Sequence, residues 1–148
     1  SFEICSLDSI LLTVIDKFEG QLKEKNLHLI IEKIEPLSIN ANRLLIESIF
    51  SNLLDNAIKY TSAHKKITLS LYRDKSICFS IKDEGIGISP EHLSKITDRF
   101  YRVDVSRNKK IKGFGLGLSI VKNGVELHGG KLIIRSVENE GLMVKVLF

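Results

Sequence analysis

Apolar positions along the chain change their period several times, and each change marks an element. Over residues 9–25, Ile10, Leu11, Val14, Ile15, Phe18 and Leu22 recur at helical spacing, with Gly20 as the only blemish. "LHLIIEK" (27–33) reads as a strand, and Pro36 separates it from a short strand near Leu37–Ile39. A long helix is expected over residues 42–60, capped by Asn40 or Asn42, with Ile46, Phe50, Leu53, Leu54 and Ala57 on one apolar arc. Period two then takes over. "KITLSLYR" turns Ile67, Leu69 and Leu71 to one side, "SICFSIKD" does the same with Ile77, Phe79 and Ile81, and "RDK" between them makes a hairpin turn. "SPEHLSKI" starts a short helix, with Ser89 as N-cap and Pro90 at the first helical position. Residues 97–114 are polar and irregular. A helix is expected from Leu116 to His128, stopped by Gly129-Gly130, and "KLIIRSV" and "LMVKVLF" close the chain as strands.

Hairpins interspersed with helices predict an α+β sandwich: one mixed, mainly antiparallel sheet with helices on one face. At 148 residues and 43% hydrophobic, the chain is expected to be one domain with a real core. No apolar run approaches the ~20 residues needed to cross a bilayer, and "SFEICSLDS" lacks a signal-peptide layout. The expectation is a soluble domain, or a soluble piece of something larger. Cys5 and Cys78 fit no zinc or redox spacing, and Cys78 within a strand reads as a buried thiol in a reducing compartment. The net charge of +4 is uneven, because "SRNKKIKG" (106–113) carries four cations and no acid. Aromatics are not interleaved with these cations and no nucleic-acid reader motif is present, which argues against that function. A solvated loop remains, or an anion site, since the run leads straight into glycines. An irregular stretch of roughly eighteen residues in a compact domain is more often a lid than filler.

Three stretches carry chemistry. On the long helix, Asn52, Asn56 and Lys59 fall in one polar stripe, with Ser48 one turn earlier. Such a stripe is normally the solvent face of an amphipathic helix. Its alternative is a chemical surface, in which carboxamide oxygens suit Mg²⁺ and an ammonium suits phosphate. "DEGIGIS" ends a strand in Asp83, on the side that carries Ile77, Phe79 and Ile81, so the carboxylate should point inward and need donors. An adenine amino group would supply one, and Gly85 and Gly87 would let the backbone approach a flat base; an exposed acid in a glycine turn is the competing reading. "KGFGLGLS" places Gly113, Gly115 and Gly117 at a helix entrance, where N–H groups attract phosphate. Neither glycine cluster is a dinucleotide fingerprint or a Walker A loop.

Taken in order, these stretches resemble the catalytic and ATP-binding domain of bacterial sensor histidine kinases, in the wider group that includes gyrase, Hsp90 and MutL. "NLLDNAIKYT" is similar to that family's N box, "DEGIGIS" to its G1 box, "RFYR" to most of its F box and "GFGLGLSIVK" to its G2 box. The resemblance covers nearly the whole chain. It implies a Bergerat-type fold over 1–148, with about three helices on one face and a mobile ATP lid near 89–114. It also implies ATP and Mg²⁺ as cofactors. Asn56 would hold Mg²⁺ with Asn52 assisting, Lys59 would reach a phosphate, and Tyr60 would lie by the adenine or ribose. Asp83 would read the adenine amino group, framed by Gly85, Gly87 and Ile88. Arg102 would approach the phosphates from the lid. Gly113, Gly115, Leu116, Gly117 and Leu118 would cradle phosphate. Asn52, Asn56 and Lys59 would be the residues nearest the chemistry. Two departures stand out: Thr97 where the F box usually begins with an aromatic, and Leu142 where a Thr often supports the adenine contact.

His28, His64, His92 and His128 do not resemble the family's phospho-accepting His box, and no Ser-His-Asp or His-metal set is apparent. His128 is expected to serve the last carbonyls of its helix. The resemblance therefore implies an ATP-dependent protein histidine kinase module whose acceptor histidine sits on a separate dimerisation domain, upstream of Ser1. Its partners would be that domain, acting in cis or in trans, and a response regulator. No nucleic acid and no direct membrane contact are expected. The location implied is cytoplasmic, with the parent anchored in the inner membrane. A catalytically weak nucleotide-binding docking module, or another ATPase or serine kinase on the same fold, is the alternative.

Overall fold

Period-two alternation in residues 66–83 builds the centre of the molecule. In the computed structural model, which describes residues 1–98 and 115–148, β4 (Lys66–Arg73) and β5 (Ile77–Asp83) pair antiparallel, with Leu69 opposite Ile81 and Leu71 opposite Phe79. β7 (Gly141–Leu147) continues the sheet beyond β5, and β6 (Lys131–Val137) closes it beyond β7, both antiparallel. β2 (His28–Ile34) joins β4 in parallel, so the five-stranded sheet is mixed, in the order β2-β4-β5-β7-β6. The rows that pairing creates put Ile67, Leu69, Leu71, Phe79, Ile81, Val144 and Val146 on one buried face.

Three long helices cover that face: α1 (Leu7–Glu24), α2 (Arg43–Tyr60) and α4 (Gly115–Leu127). α2 lies against β5, α1 reaches β2 and α4 reaches β6. At the centre, Phe50 of α2 meets Phe79 of β5 with ring centroids 4.7 Å apart. A fourth helix, α3 (Pro90–Leu93), is a single turn. The expected α+β sandwich is therefore present, with two corrections. α1 begins at Leu7, two residues early, because Ser6 serves as its N-cap and accepts from the Ser9 N–H. And β1 (Glu3–Ser6) pairs antiparallel with β3 (Ser38–Ala41) as a separate two-stranded sheet. In β1 only Cys5 is fully buried, too little for alternation to reveal it.

Ends of helices are held by specific groups. Asn42 is the α2 cap, its side chain accepting from the Leu45 N–H at 3.1 Å. The His128 ring joins α4 to that cap. Gly124 O can only accept and the Asn42 N–H can only donate, so the proton sits on Nδ1 (2.6 Å to Gly124 O) and Nε2 accepts from Asn42 at 3.0 Å. Ser89 occupies the N-cap position of α3 but makes no side-chain cap bond, and its buried Oγ has no partner among the described residues. Both cysteines are buried and free. No helix among the described residues is long and apolar enough to cross a membrane.

The C-terminal end of α2 is tied from outside. Lys25, just beyond α1, donates from Nζ to Ile58 O at 2.6 Å and Lys59 O at 3.0 Å, satisfying carbonyls that a helix end leaves without partners. Burial holds this ammonium below the usual lysine range. Lys25→Met keeps the stem and drops these bonds, and should cost about 1–2 kcal/mol of unfolding free energy. Lys23→Met, which removes only an exposed pair with Glu19, should cost less than about 0.5 kcal/mol. Urea denaturation of both variants checks the difference, and equal effects would deny Lys25 its capping role.

Candidate functional site

α2 delivers the polar stripe because its other face is committed to the core. Ile46, Phe50, Leu53, Leu54 and Ala57 are buried, which leaves Asn52 and Asn56 half-buried and Lys59 exposed. The stripe does not simply face solvent. The first turn of α4 lies opposite it: a Cβ on Gly117 would stand 3.5 Å from Asn52 Oδ1 and 3.7 Å from Asn56 Nδ2. Asn52 is anchored, donating from Nδ2 to Ser48 O at 2.8 Å and to Ser48 Oγ at 3.1 Å. Asn56 is not. Its buried Nδ2 has no partner, and its Oδ1 receives no hydrogen bond among the described residues. Lys59 pairs with Asp55 at 2.7 Å, one turn back on the same helix. Tyr60 is buried, and its carbonyl accepts from the Ile86 N–H at 3.2 Å.

β5 delivers the acid. Register puts Asp83 between Ile67 and Leu142 on the inner face, where it is only 5% exposed. Two backbone N–H groups donate to one oxygen, Oδ1: Gly85 at 2.9 Å and Leu142 at 3.2 Å. No described residue bonds Oδ2. Burial pushes the carboxyl up to about 6 from 3.8, and the Gly85 and Leu142 N–H groups pull back against that rise. Leu142 thus supports the acid through its backbone, without a side-chain hydroxyl.

The two glycines after Asp83 are required by the protein's own backbone. A Cβ on Gly85 would collide with Tyr60 O, and Gly87 has φ +66° with Val137 O beside it. The expectation that they make room for a flat base is thus joined by a nearer cause, the docking of this turn onto α2 and β6. Ile88 and Leu118 are core residues, 2% and 0% exposed. Gly115 and Leu116 open α4. Arg102 and Gly113 lie outside the described residues, as do the cations of 106–113, so this part of the expected lid and cradle is not described. Sequence reasoning did not single out Ser136 and Asn139, which hold the turn from the β6–β7 hairpin; isolated polar residues beside a strand end give no periodic signal.

The arrangement offers a buried carboxylate with one unengaged oxygen, an unsatisfied carboxamide, an exposed ammonium and a glycine-bearing helix entrance. Among the described residues no group of three or more His, Cys, Asp or Glu side chains is placed to hold a metal. A cation here would rest on a neutral oxygen such as Asn56 Oδ1, with further ligands from phosphate and water. The chemistry of the carboxamide would suit a metal–phosphate pair, its oxygen taking a cation and its NH₂ an anionic oxygen.

Comparison with known proteins agrees with this picture. Residues 41–148 match the family described as histidine kinase-, DNA gyrase B-, and HSP90-like ATPase. The chain is 36% identical over 135 residues to the sensor histidine kinase WalK of Bacillus subtilis, covering 88% of this chain and 22% of that protein. It is 34% identical over 137 residues to the phosphate regulon sensor protein PhoR of Pseudomonas aeruginosa, covering 92% and 31%. The chain therefore spans less than a third of the length of these curated relatives. Among solved structures, the catalytic domain of histidine kinase ThkA superposes with a TM-score of 0.85 at 26% identity, over 100% of this chain and 97% of that one.

The raised Asp83 carboxyl makes stability depend on pH. The folded state holds its proton to about 6 and the unfolded chain releases it near 3.8, so the folded state binds more protons between those values. Stability from this group is complete below 3.8 and lost as pH rises through about 6. Asp83→Asn, which retains the Oδ1 acceptor without the charge, should stabilise the fold by up to about 3 kcal/mol at pH 8 and hardly at all at pH 3.5. Denaturation midpoints at the two pH values test this. An equal effect at both would show that the buried charge is not what costs stability.

Proposed function

The chain belongs to the histidine kinase-, DNA gyrase B- and HSP90-like ATPase family, and on that premise we propose that it is the ATP-binding kinase module of a sensor histidine kinase. It binds Mg-ATP and presents the γ-phosphate to a histidine on a separate dimerisation domain. The observation that carries this reading is the buried Asp83, whose protein donors both engage Oδ1 and leave Oδ2 for a ligand. A carboxylate in that setting accepts from an exocyclic amino group such as adenine N6 and repels the carbonyl oxygen of guanine.

At the other end, Asn56 would hold Mg²⁺ with Asn52 beside it, and Lys59 would leave Asp55 for a phosphate oxygen. The ion would supply charge neutralisation at the transferring phosphoryl group. The chain's own part is to fix the base at Asp83, to keep Tyr60 beside it, and to aim the phosphates across Gly117 at the entrance of α4. Segment 89–114 would serve as the lid, bringing Arg102 and Gly113 to the phosphates. The parent's remaining length would carry the acceptor histidine, and its product would pass to a response regulator. A cytoplasmic position of this module in a membrane-anchored parent fits that role. The docking-module alternative is not favoured, because the relatives are sensor histidine kinases.

Calorimetric titration with ATP, ADP and GTP, with and without Mg²⁺, tests the reading. Adenine nucleotides should bind at least about tenfold more tightly than GTP at pH 8, and Mg²⁺ should change the affinity of the triphosphate. Below pH 6 the preference should narrow, because a protonated Asp83 can donate to the guanine oxygen. In Asp83→Asn the preference should be small and independent of pH. No nucleotide binding by a folded sample would overturn the assignment. Asn56→Ala should cost about 10²-fold or more in Mg²⁺-dependent transfer to a supplied acceptor domain. Undiminished transfer would remove Asn56 from the metal site.

A further inference from the structure

β6 carries a hydroxyl that the site described above does not use. Ser136 lies in one cross-strand row with the acid: it is opposite Leu142, and Leu142 is opposite Asp83. Its Oγ accepts from the Ile88 N–H at 2.6 Å and donates to Gly141 O at 3.0 Å. One side chain thus joins the turn after β5 to the residue that precedes the Leu142 amide. The surroundings leave little slack. A Cβ on Gly87 would stand 3.0 Å from Ser136 Oγ, and a Cβ on Gly141 would collide with the Asp83 carbonyl. A second clamp runs parallel, with the Asn139 N–H donating to Ile86 O at 2.5 Å.

We propose that Ser136 is a positioning residue for base recognition: its hydroxyl locks the 85–88 turn against the β6–β7 hairpin, so that the Leu142 N–H stays on Asp83 Oδ1 and Oδ2 stays turned to the base. The proposal rests on the reading of Asp83 as the adenine acceptor and adds the group that holds it in place. The geometry gives a reason for the assignment beyond packing. Gly85 and Leu142 donate to the same oxygen from two different segments, and Ser136 bonds the neighbourhood of both. Without the hydroxyl, the Ile88 N–H and Gly141 O lose their shared partner, the hairpin can drift from β5, and the carboxylate can rotate either oxygen toward the ligand. Base selectivity should then fall before folding does.

The test uses the chain as it stands, with adenosine, ATP and GTP as titrants. Ser136→Ala should weaken adenosine and ATP in parallel by about tenfold and bring the ATP-to-GTP affinity ratio toward one. The ratio of ATP affinities with and without Mg²⁺ should not change, because Asn56 and Lys59 lie at the far end of the ligand. Ser136→Thr, which restores the hydroxyl, should recover the base preference. If the alanine variant does not fold, Ser136→Cys keeps the shape with a poorer donor and acceptor, and the same loss of selectivity is expected. A lowered melting temperature with an unchanged ATP-to-GTP ratio would reduce Ser136 to a structural hydroxyl and overturn the proposal. A wild-type chain without adenine preference would instead overturn the underlying reading of Asp83, and this proposal with it.

Discussion

A carboxylate facing the inside of a sheet is the constraint around which this end of the molecule is arranged. Strand register leaves Asp83 no other place: with Ile77, Phe79 and Ile81 committed inward, the next residue of the same parity must follow them. An ionised carboxyl so placed loses its water and has to be repaid by donors. Among the described residues its donors are backbone groups. The chain therefore turns back within two residues to bring the Gly85 N–H into line, and the β6–β7 hairpin returns to bring the Leu142 N–H. Both approaches need a residue without a side chain at the point of closest contact, Gly85 against Tyr60 O and Gly141 against Asp83 O. The acid, the glycines and the hairpin are consequences of one another.

Legibility in the sequence follows the range of the forces involved. Central strands and long helices were readable because burial imposes a period on them; β4, β5, β6 and the apolar arc of α2 all appear where alternation and helical spacing put them. β1 was not, since a four-residue strand with one fully buried side chain has no period, and its partner β3 lies more than thirty residues away. Parallel pairing of β2 with β4 was equally silent, because nothing in a short apolar run states its neighbour's direction.

The site divides along the same line. Asp83 could be placed on an inner face by parity alone, and the Asn52–Asn56–Lys59 stripe by helical geometry. What the stripe faces could not be read, because it depends on how α4 crosses α2; Gly117 opposite the two carboxamides is a tertiary fact. The donors to Asp83 were hidden for a related reason. A backbone N–H carries no residue signature, so the Leu142 amide that donates to Asp83 Oδ1 could not be read, whatever side chain stands at that position. Ser136 and Lys25 act at one point each, through bonds to backbone, and leave no pattern at all.

Lys59 and Asn56, on one stripe of α2, are held in physically different ways. Lys59 and Asp55 form an exposed (i, i+4) pair, worth only a few tenths of a kcal/mol. An incoming phosphate, with more charge and more acceptor oxygens, can take the ammonium at little cost. Asn56 is the opposite case, a neutral group whose buried NH₂ has no partner among the described residues, which costs on the order of 1–3 kcal/mol. The residue with the net charge is thus cheaply released, while the residue with no net charge carries the unmet demand. A ligand that satisfies Asn56 recovers the larger amount. On the proposed reading, discrimination at the phosphate end should accordingly follow how well the carboxamide is satisfied on both its oxygen and its nitrogen, which a metal–phosphate pair would do and a bare cation or a bare anion would not.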